Sequence, residues 1–312
     1  MERRIIDVHA HLGDIFHENK SILFKRPGII AHPDAFDPFK DLEESGFTRP
    51  LIVPDVEAQN KLIDAGQYRV WDRGSIFATS EMMDRCGYTY FVNLPIMPNT
   101  SFDEGLACSM MDSRYLTFSC PDFDLPESEM MAKLRCDIEL GARGLKFHPI
   151  IQNVAITDER CEGPIRLFGE LGLPITYHCG VNDYYKADSP YLALTNLEFG
   201  ALDYSYDILK KYPDYLIIPA HAGGTCGGEL EALGEFVRDN GYKNVYVEMS
   251  HRGSADILKA MELFGEDKVM FATDWPFDTP DCNIRVAEDA LGDDPELLDM
   301  YLYQNAARIL GL

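Results

Sequence analysis

The sequence predicts an α/β protein, a (β/α)8 barrel of the TIM type with a metal site at the C-terminal ends of its strands. Two observations carry this prediction. Short apolar segments rich in β-branched and aromatic residues alternate with amphipathic runs of helical period. Most of the histidines stand at or just beyond the ends of those apolar segments. The ends of parallel barrel strands meet at one face, so these histidines are expected to converge.

Eight apolar segments are the candidate strands: 4–10, 50–54, 89–96, 143–149, 173–179, 215–221, 244–250 and 268–274. Five amphipathic runs between the later segments predict helices at 128–142, 163–172, 205–213, 230–241 and 254–265. An open, doubly wound sheet is the alternative. It would need a glycine-rich phosphate-binding turn after the first strand, where this sequence has histidines instead.

We expect a single domain over residues 1–312, because barrels of this kind routinely exceed about 250 residues. Two long connections, 12–50 and 180–203, follow predicted strands. Both are therefore expected to lie over the active-site face. The second one carries several aromatic residues, among them Tyr184 and Tyr185, which could form an apolar lid or pack the insertion.

The net charge of -24, from 28 basic and 52 acidic residues, argues against nucleic acid or an anionic membrane as a partner. A small-molecule substrate is the expected partner, and a homo-oligomer is left open. The sequence has no long apolar run, and the residues before Asp7 are too few and too polar for a signal-peptide core. We therefore expect no membrane insertion and a cytoplasmic location.

The positions of the histidines indicate a metal centre. His9 and His11 are two apart in DVHAHLG, so alternation along a strand points both to the same face. His178, His221 and Asp274 follow the predicted fifth, sixth and eighth strands. An H-x-H pair alone is weak, but imidazole nitrogens and a carboxylate converging at one face suit Zn²⁺ or a similar divalent ion.

These motifs resemble those of the amidohydrolase superfamily, especially its amidohydrolase-related branch (amidohydrolase 2). The resemblance rests on DVHAHLG, GLKFHP, PITYHCG, IPAHAGG, FATDWPF and the closing QNAARILGL, and it spans residues 5 to 312. It implies one or two metals at the mouth of a barrel, and a water that they activate. It also implies that His9, His11 and Asp274 hold the first metal and that His178 is a ligand in either arrangement. His221 would bind the second metal or, in one-metal members, orient the water.

Lys146 stands in GLKFHP, where alternation with His148 points it into the barrel. The run also resembles the K-L-Y-P of dihydroorotases, whose lysine is carbamylated. Three interpretations stay open: a carbamate bridging two metals, a cationic lysine that binds substrate or acts as a general acid, and an ion-paired structural lysine. A cationic lysine beside two Zn²⁺ ions would be repelled, so the carbamate needs the second metal.

Asp274 and His221 are the predicted catalytic residues, with Asp274 as a ligand that also shuttles a proton. His148 and Arg252 are predicted to bind substrate, Arg252 by gripping a carboxylate. The alternatives are a hydrogen-bonded wall residue and a solvated arginine. His251 could equally be a wall residue, and Glu248 is expected to support a ligand rather than to be one.

The predicted function is hydrolysis of an amide, lactone or ester bond in a small molecule by metal-activated water. The main rival is a metal-dependent decarboxylase of the same branch, with one metal and no lysine bridge. A metal-binding protein without catalysis and a metal-independent lactonase are further alternatives, and the complete ligand set argues against both.

Overall fold

The computed structural model describes residues 3–26, 37–48, 55–225 and 227–312. Within these ranges, short parallel strands pair in three sheets, ordered β1-β2-β3, β4-β5-β6 and β7-β8. The strands are β1 (Ile6–Ala10), β2 (Tyr90–Asn93), β3 (Tyr115–Thr117), β4 (Leu145–Phe147), β5 (Ile175–Tyr177), β6 (Ile217–Pro219), β7 (Val247–Glu248) and β8 (Val269–Met270).

Helices separate successive strands throughout the described chain. They are α1 (Pro38–Glu44), α2 (Val56–Arg73), α3 (Ile76–Cys86), α4 (Phe102–Met111), α5 (Glu127–Glu139), α6 (Glu159–Glu170), α7 (Leu202–Lys211), α8 (Glu229–Asn240), α9 (Ser254–Phe264), α10 (Pro280–Leu291), α11 (Pro295–Asp299) and α12 (Asn305–Leu310). No helix in the described ranges combines the length and the apolar character needed to cross a membrane.

The strand predictions are confirmed at seven of the eight segments, each of which contains an observed strand. The predicted strand 50–54 lies outside the described residues, as does part of the 12–50 connection. The sequence analysis missed β3, and the segment predicted as the third strand is the second strand among the described residues, β2. β3 lies in the short apolar run YLTF, at 115–118. The five predicted helices are confirmed as α5 to α9.

Isolated parallel bridges connect the three sheets. Ser119 pairs with Leu145, Ile217 with Val245, and Ala10 with Trp275. The last bridge is accompanied by a hydrogen bond from the amide of Asp274 to the carbonyl of His9, 2.8 Å long. The first strand therefore lies beside the segment that follows the last one.

Alternation along the strands separates packing residues from site residues. On β4, Leu145 and Phe147 belong to the apolar cluster that also contains Leu134 of α5 and Phe168 of α6. Lys146, between them, points the other way and reaches His9. On β4, the apolar side chains are thus buried against the helices, and the charged one lies on the opposite side.

Helix α2 is held to the loop after β8 by a buried arginine. Arg69 pairs with Glu43 at 2.6 Å and Asp37 at 2.7 Å, and it donates to the carbonyl of Phe277. Removing one partner from such a group leaves buried charge uncompensated. Arg69→Met is therefore expected to lower the free energy of unfolding by about 3–5 kcal/mol, measured by urea denaturation.

Arg160→Met is the matched control for this change. Arg160 is half exposed and pairs with Asp158 at 2.9 Å, so its loss should cost no more than about 1 kcal/mol. Equal effects of the two substitutions would contradict the role given to Arg69.

Candidate metal centre

His9 lies in β1, and His11 directly follows that strand. In both imidazoles Nε2 is the nitrogen that carries no proton. The Nδ1 of His11 lies 2.7 Å from the carbonyl of Leu94, and the Nδ1 of His9 lies 2.8 Å from Oε1 of Glu248. Both oxygens accept hydrogen bonds, so each Nδ1 carries a proton and each Nε2 keeps its lone pair. Both Nε2 atoms face the same oxygen, Oδ1 of Asp274, at 3.5 Å from His9 and 3.1 Å from His11.

Asp274 divides its two oxygens between different neighbours. Its Oδ2 lies 3.0 Å from Nε2 of His251, whereas its buried Oδ1 has no hydrogen-bond partner within the described chain. A buried polar atom without a partner costs free energy, so an unfilled Oδ1 facing two imidazole nitrogens indicates a missing ligand. One nitrogen of each histidine and one Asp274 oxygen lie within 4.8 Å of one another. This donor set fits a divalent metal ion.

Two further imidazoles lie beside this group. Nδ1 of His178 is 3.1 Å from Nε2 of His221, and the His221 ring stacks on that of His9 with centroids 4.8 Å apart. Nδ1 of His221 is fixed by the hydroxyl of Ser250 at 2.7 Å. The hydroxyl of Tyr184 lies 2.8 Å from Nε2 of His178. The nitrogens of His178 and His221 that face each other are hydrogen-bonded to one another, so a metal ion held by them would replace that bond.

Lys146 is fully buried in the middle of this cluster. Its Nζ is 3.2 Å from Nε2 of His9, and no carboxylate in the described ranges lies within ion-pair distance of it. Burial lowers the pKa of Lys146 to about 8, although the carboxylates of Asp274 and Glu248 work in the opposite direction. The interpretation of Lys146 as an ion-paired structural lysine is therefore not supported by any direct ion pair among the described residues.

The electrostatics of the cluster favour metal binding. Burial, together with the charge of Lys146, lowers the pKa of His178 to about 3, and burial also lowers the pKa of His9 and His221. Although burial opposes it, the surrounding imidazoles hold the pKa of Asp274 well below its usual range. Neutral imidazoles and an ionised carboxylate are the forms that coordinate metals.

Glu248 forms hydrogen bonds with residues that could hold the metal, His9 and His221. Its Oε1 accepts from Nδ1 of His9 and, at 2.5 Å, from the backbone amide of His221, while Oε2 accepts from the amide of Ser250 at 2.9 Å. These contacts fix the orientation of His9 and the backbone that carries His221. Such contacts are typical of a residue that orients metal ligands.

The sequence analysis left the role of His251 open. In the structure its ring lies between two carboxylates. Its Nδ1 lies 2.7 Å from Oδ1 of Asp278, and its Nε2 contacts Asp274. Burial alone would lower the pKa of His251, but Asp278 and Asp274 outweigh it and raise the pKa to about 10. Asp278 follows Asp274 by four residues, a spacing that belongs to no motif, so this pair could not be predicted from the sequence.

His148 and Arg252 lie close to the centre but not on its open side. The His148 ring is parallel to that of His178, with centroids 4.3 Å apart, and its Nδ1 accepts from the amide of Ile151. Arg252 is buried and donates to the carbonyls of His221 and Gly224. The predicted substrate-binding roles of both residues gain no support from these contacts. Arg252 instead holds the loop after β6.

A cavity of about 540 Å3 opens above the cluster. His178, His221, His251 and Asp274 form its polar floor. Its walls are largely aromatic and aliphatic: Phe16, Phe39, Leu62, Ile63, Tyr184 and Phe277. The 180–203 connection contributes Asn182, Asp183 and Tyr184, so this predicted lid does border the cavity. No arginine or lysine lines it within the described ranges.

The sequence model of the Amidohydrolase family matches residues 6–312, nearly the whole chain. The chain belongs to the amidohydrolase family. It is accordingly an enzyme of the superfamily that the motifs resemble, and the ligand set described above fits the divalent metal expected of it. A search of curated proteins finds no match.

Solved structures of amidohydrolase fold are similar over nearly the full chain. An uncharacterised TIM-barrel protein from Bordetella bronchiseptica has a TM-score of 0.64 at 16% identity, covering 99% of this chain and 98% of its own. The 5-carboxyvanillate decarboxylase from Novosphingobium aromaticivorans, complexed with manganese, has 0.64 at 17%, covering 99% and 96%. A probable 2-pyrone-4,6-dicarboxylic acid hydrolase from Acinetobacter baumannii has 0.58 at 12%, covering 100% of both chains. These likenesses establish the fold.

Proposed function

We propose that this amidohydrolase-family enzyme is a metal-dependent hydrolase that cleaves an amide, lactone or ester bond of a small molecule. The observation that carries this is the convergence of potential ligand atoms beside the floor of one cavity. They are Nε2 of His9 and His11, Oδ1 of Asp274, Nδ1 of His178 and Nε2 of His221. Lys146 stands among them.

The proposal includes the architecture that brings these atoms together. We infer that the eight strands close into one (β/α)8 barrel and that residues 1–312 form one domain. The three bridges between the sheets support this closure, since they join each sheet to the next and the last to the first. The likeness to a TIM-barrel protein over almost the full chain supports it as well.

His9, His11 and Asp274 would hold one ion, and Zn²⁺ suits their nitrogen and oxygen donors. His178 and His221, next to them, would complete this site or hold a second ion bridged by a carbamate on Lys146. When bound, the ion supplies a Lewis acid that polarises the substrate carbonyl and acidifies water.

The side chains of the floor have distinct tasks in hydrolysis. The bond that forms joins a water oxygen to the substrate carbonyl carbon, and the bond that breaks releases an amine or an alcohol. Besides holding the metal, Asp274 would accept the proton of the water and return it to the leaving group. His221, with Nδ1 fixed by Ser250, would orient the water through Nε2.

The cavity walls favour a planar, largely apolar substrate. Rings follow one another along the wall, with Phe39 and Phe277 centroids 5.9 Å apart, and those of Phe277 and Phe16 5.8 Å apart. Aromatic groups pack well against such surfaces. Because Arg252 is engaged by backbone carbonyls, the polar end of the substrate is expected to face the metal rather than an arginine.

Decarboxylation of an aromatic acid is the second candidate, and the same aromatic wall favours it. The structures of similar fold include a manganese-bound 5-carboxyvanillate decarboxylase. A one-metal decarboxylase needs no bridge from Lys146. The state of this lysine therefore separates the two candidates.

Metal stoichiometry tests the proposed hydrolase. Elemental analysis of protein purified without chelator should find about two metals per chain, falling towards one or none in Lys146→Ala. Intact mass should show a CO₂ adduct that this variant lacks. The exposed Lys61→Ala is the control and should leave the metal content unchanged.

A screen of lactones, cyclic amides and aromatic acids completes the test. The proposed enzyme releases a new carboxylate from the first two classes and no CO₂ from the third. A single metal in both wild type and Lys146→Ala, with CO₂ released from aromatic acids, would establish the decarboxylase instead.

Gly66 leaves room in the cavity that a larger residue would fill. It lies inside α2, where a Cβ would sit 3.5 Å from Cε1 of Phe277 and 3.7 Å from Cε2 of Phe39, both ordinary contact distances. Gly66→Ala should therefore fold, with a gain in helix stability of up to about 1 kcal/mol. We expect it to lower kcat/KM for the largest accepted substrates by about 10-fold or more relative to the smallest.

Gly163→Ala provides the control, since Gly163 lies inside α6 and away from the cavity. Its added methyl would meet the flexible Met131 side chain, with Sδ at 3.2 Å, and Oε1 of Glu127 at 4.0 Å. An unchanged preference for substrate size in Gly66→Ala would show that this part of the cavity does not hold the substrate.

A further inference from the structure

Asp278 is a fully buried carboxylate in the loop after β8. It accepts two hydrogen bonds from His251, at 2.7 Å from Nδ1 and 3.0 Å from the backbone amide, and a third from Asn283 at 3.0 Å. A buried carboxylate is tolerated only when it is bonded in this way. Three donors therefore hold Asp278 in place, and Asp278 in turn fixes the orientation of the His251 ring.

The other ring nitrogen of His251 contacts the metal ligand. Nε2 lies 3.0 Å from Oδ2 of Asp274. A carboxylate oxygen only accepts hydrogen bonds, so Nε2 is the donor and Oδ2 is occupied. The oxygen that stays without a partner is Oδ1, which faces His9 and His11.

We propose that Asp278 and His251 form a positioning pair that makes Asp274 a one-oxygen ligand with a fixed direction. The hydrogen bond from His251 occupies Oδ2, so only Oδ1 is directed at the metal. This inference rests on the metal centre of the proposed function, but not on whether the reaction is hydrolysis or decarboxylation.

The backbone at these residues explains why such a pair is needed. Asp274 has φ 49° and His251 has φ 60°, both in the left-handed region. This conformation is unfavourable for a residue with a side chain, so contacts elsewhere must hold the two loops in this form. The chain Asp278–His251–Asp274 joins the loop after β7 to the loop after β8 across the floor of the cavity.

Metal binding to the full-length, metal-stripped protein tests the pair. Zn²⁺ is titrated in competition with a chromophoric chelator into wild type, His251→Leu, His251→Gln and Asp278→Asn. His251→Leu removes the donor to Oδ2, and its Kd for Zn²⁺ should rise by about 10- to 100-fold, the usual effect of losing a residue that orients a ligand. His251→Gln keeps an N–H donor near the position of Nε2 and should recover most of the affinity.

A spectroscopic measurement separates positioning from general destabilisation. In the Co²⁺-loaded protein, the visible absorption reports the coordination number. Once His251 no longer occupies Oδ2, both Asp274 oxygens can reach the ion, so the Co²⁺ bands of His251→Leu should weaken while those of His251→Gln stay as in wild type. Asp278→Asn keeps the size of the side chain and should shift affinity in the same direction as His251→Leu.

The outcomes are distinguishable. Wild-type affinity and Co²⁺ spectrum in His251→Leu would overturn the positioning pair and leave the metal centre intact. The same loss in His251→Gln as in His251→Leu would also overturn it, because the donor to Oδ2 would then be irrelevant. Failure of wild type to bind Zn²⁺ or Co²⁺ at all would overturn the metal centre itself. If His251→Leu does not fold, the comparison of His251→Gln with Asp278→Asn decides.

Discussion

Asp274→Asn is expected to lower kcat by about 10²-fold or more. Asparagine keeps the size of the side chain and one carbonyl oxygen for the metal. Its amide cannot take a proton, however, so the proposed exchange between water and leaving group stops. The substitution is measured in steady state on the substrate that the screen identifies, with the metal content of the same sample determined by elemental analysis.

The metal content determines how the result is interpreted. Loss of turnover in a sample that still holds its metal assigns proton transfer to Asp274. Loss of both assigns ligation alone. Near-normal turnover in a metal-loaded variant would contradict the catalytic role altogether. Asp281→Asn is the control: Asp281 is exposed, pairs with Arg85 at 2.9 Å and should leave kcat unchanged.

Most strands and helices, and the grouping of the candidate site residues, could be predicted from the sequence. His9 and His11 were assigned to one face because a strand alternates with a period of two, which does not depend on tertiary detail. His178 and His221 were expected to join them because parallel strands end at one face, and their facing nitrogens are 3.1 Å apart. β3 was missed although its run, YLTF, is apolar and β-branched, because the segment at 50–54 already completed a set of eight predicted strands.

The directions of side chains in the loops could not be predicted from the sequence. Arg252 follows β7 as expected, yet it donates to the carbonyls of His221 and Gly224, since a buried guanidinium must find acceptors wherever the backbone offers them. The Asp278–His251 contact depends on left-handed backbone at two loops, and no pattern in the sequence specifies that conformation in residues other than glycine.

His221 decides between the two arrangements of the centre, and His221→Asn is the substitution that tests it. His221 has φ 56°, in the left-handed region, which asparagine adopts more readily than most residues. The backbone of the loop after β6 should therefore persist, held as before by Glu248 and Arg252. We expect kcat/KM to fall by about 10²- to 10⁴-fold, the range for losing a group that positions or transfers a proton.

Two further measurements show which mechanism causes the loss of kcat/KM in His221→Asn. Should His221 bind a second ion, His221→Asn would lose about one metal per chain, and Lys146→Ala would do the same. Should His221 orient water in a one-metal site, the metal content would stay constant while kcat falls.

Ser250→Ala provides a graded comparison, because it frees Nδ1 of His221 but leaves the ring in place. A smaller loss than in His221→Asn is expected, of about 10-fold. Turnover in His221→Asn at the wild-type rate would remove His221 from the reaction, and with it the proposal that the facing pair of imidazoles forms part of the catalytic floor.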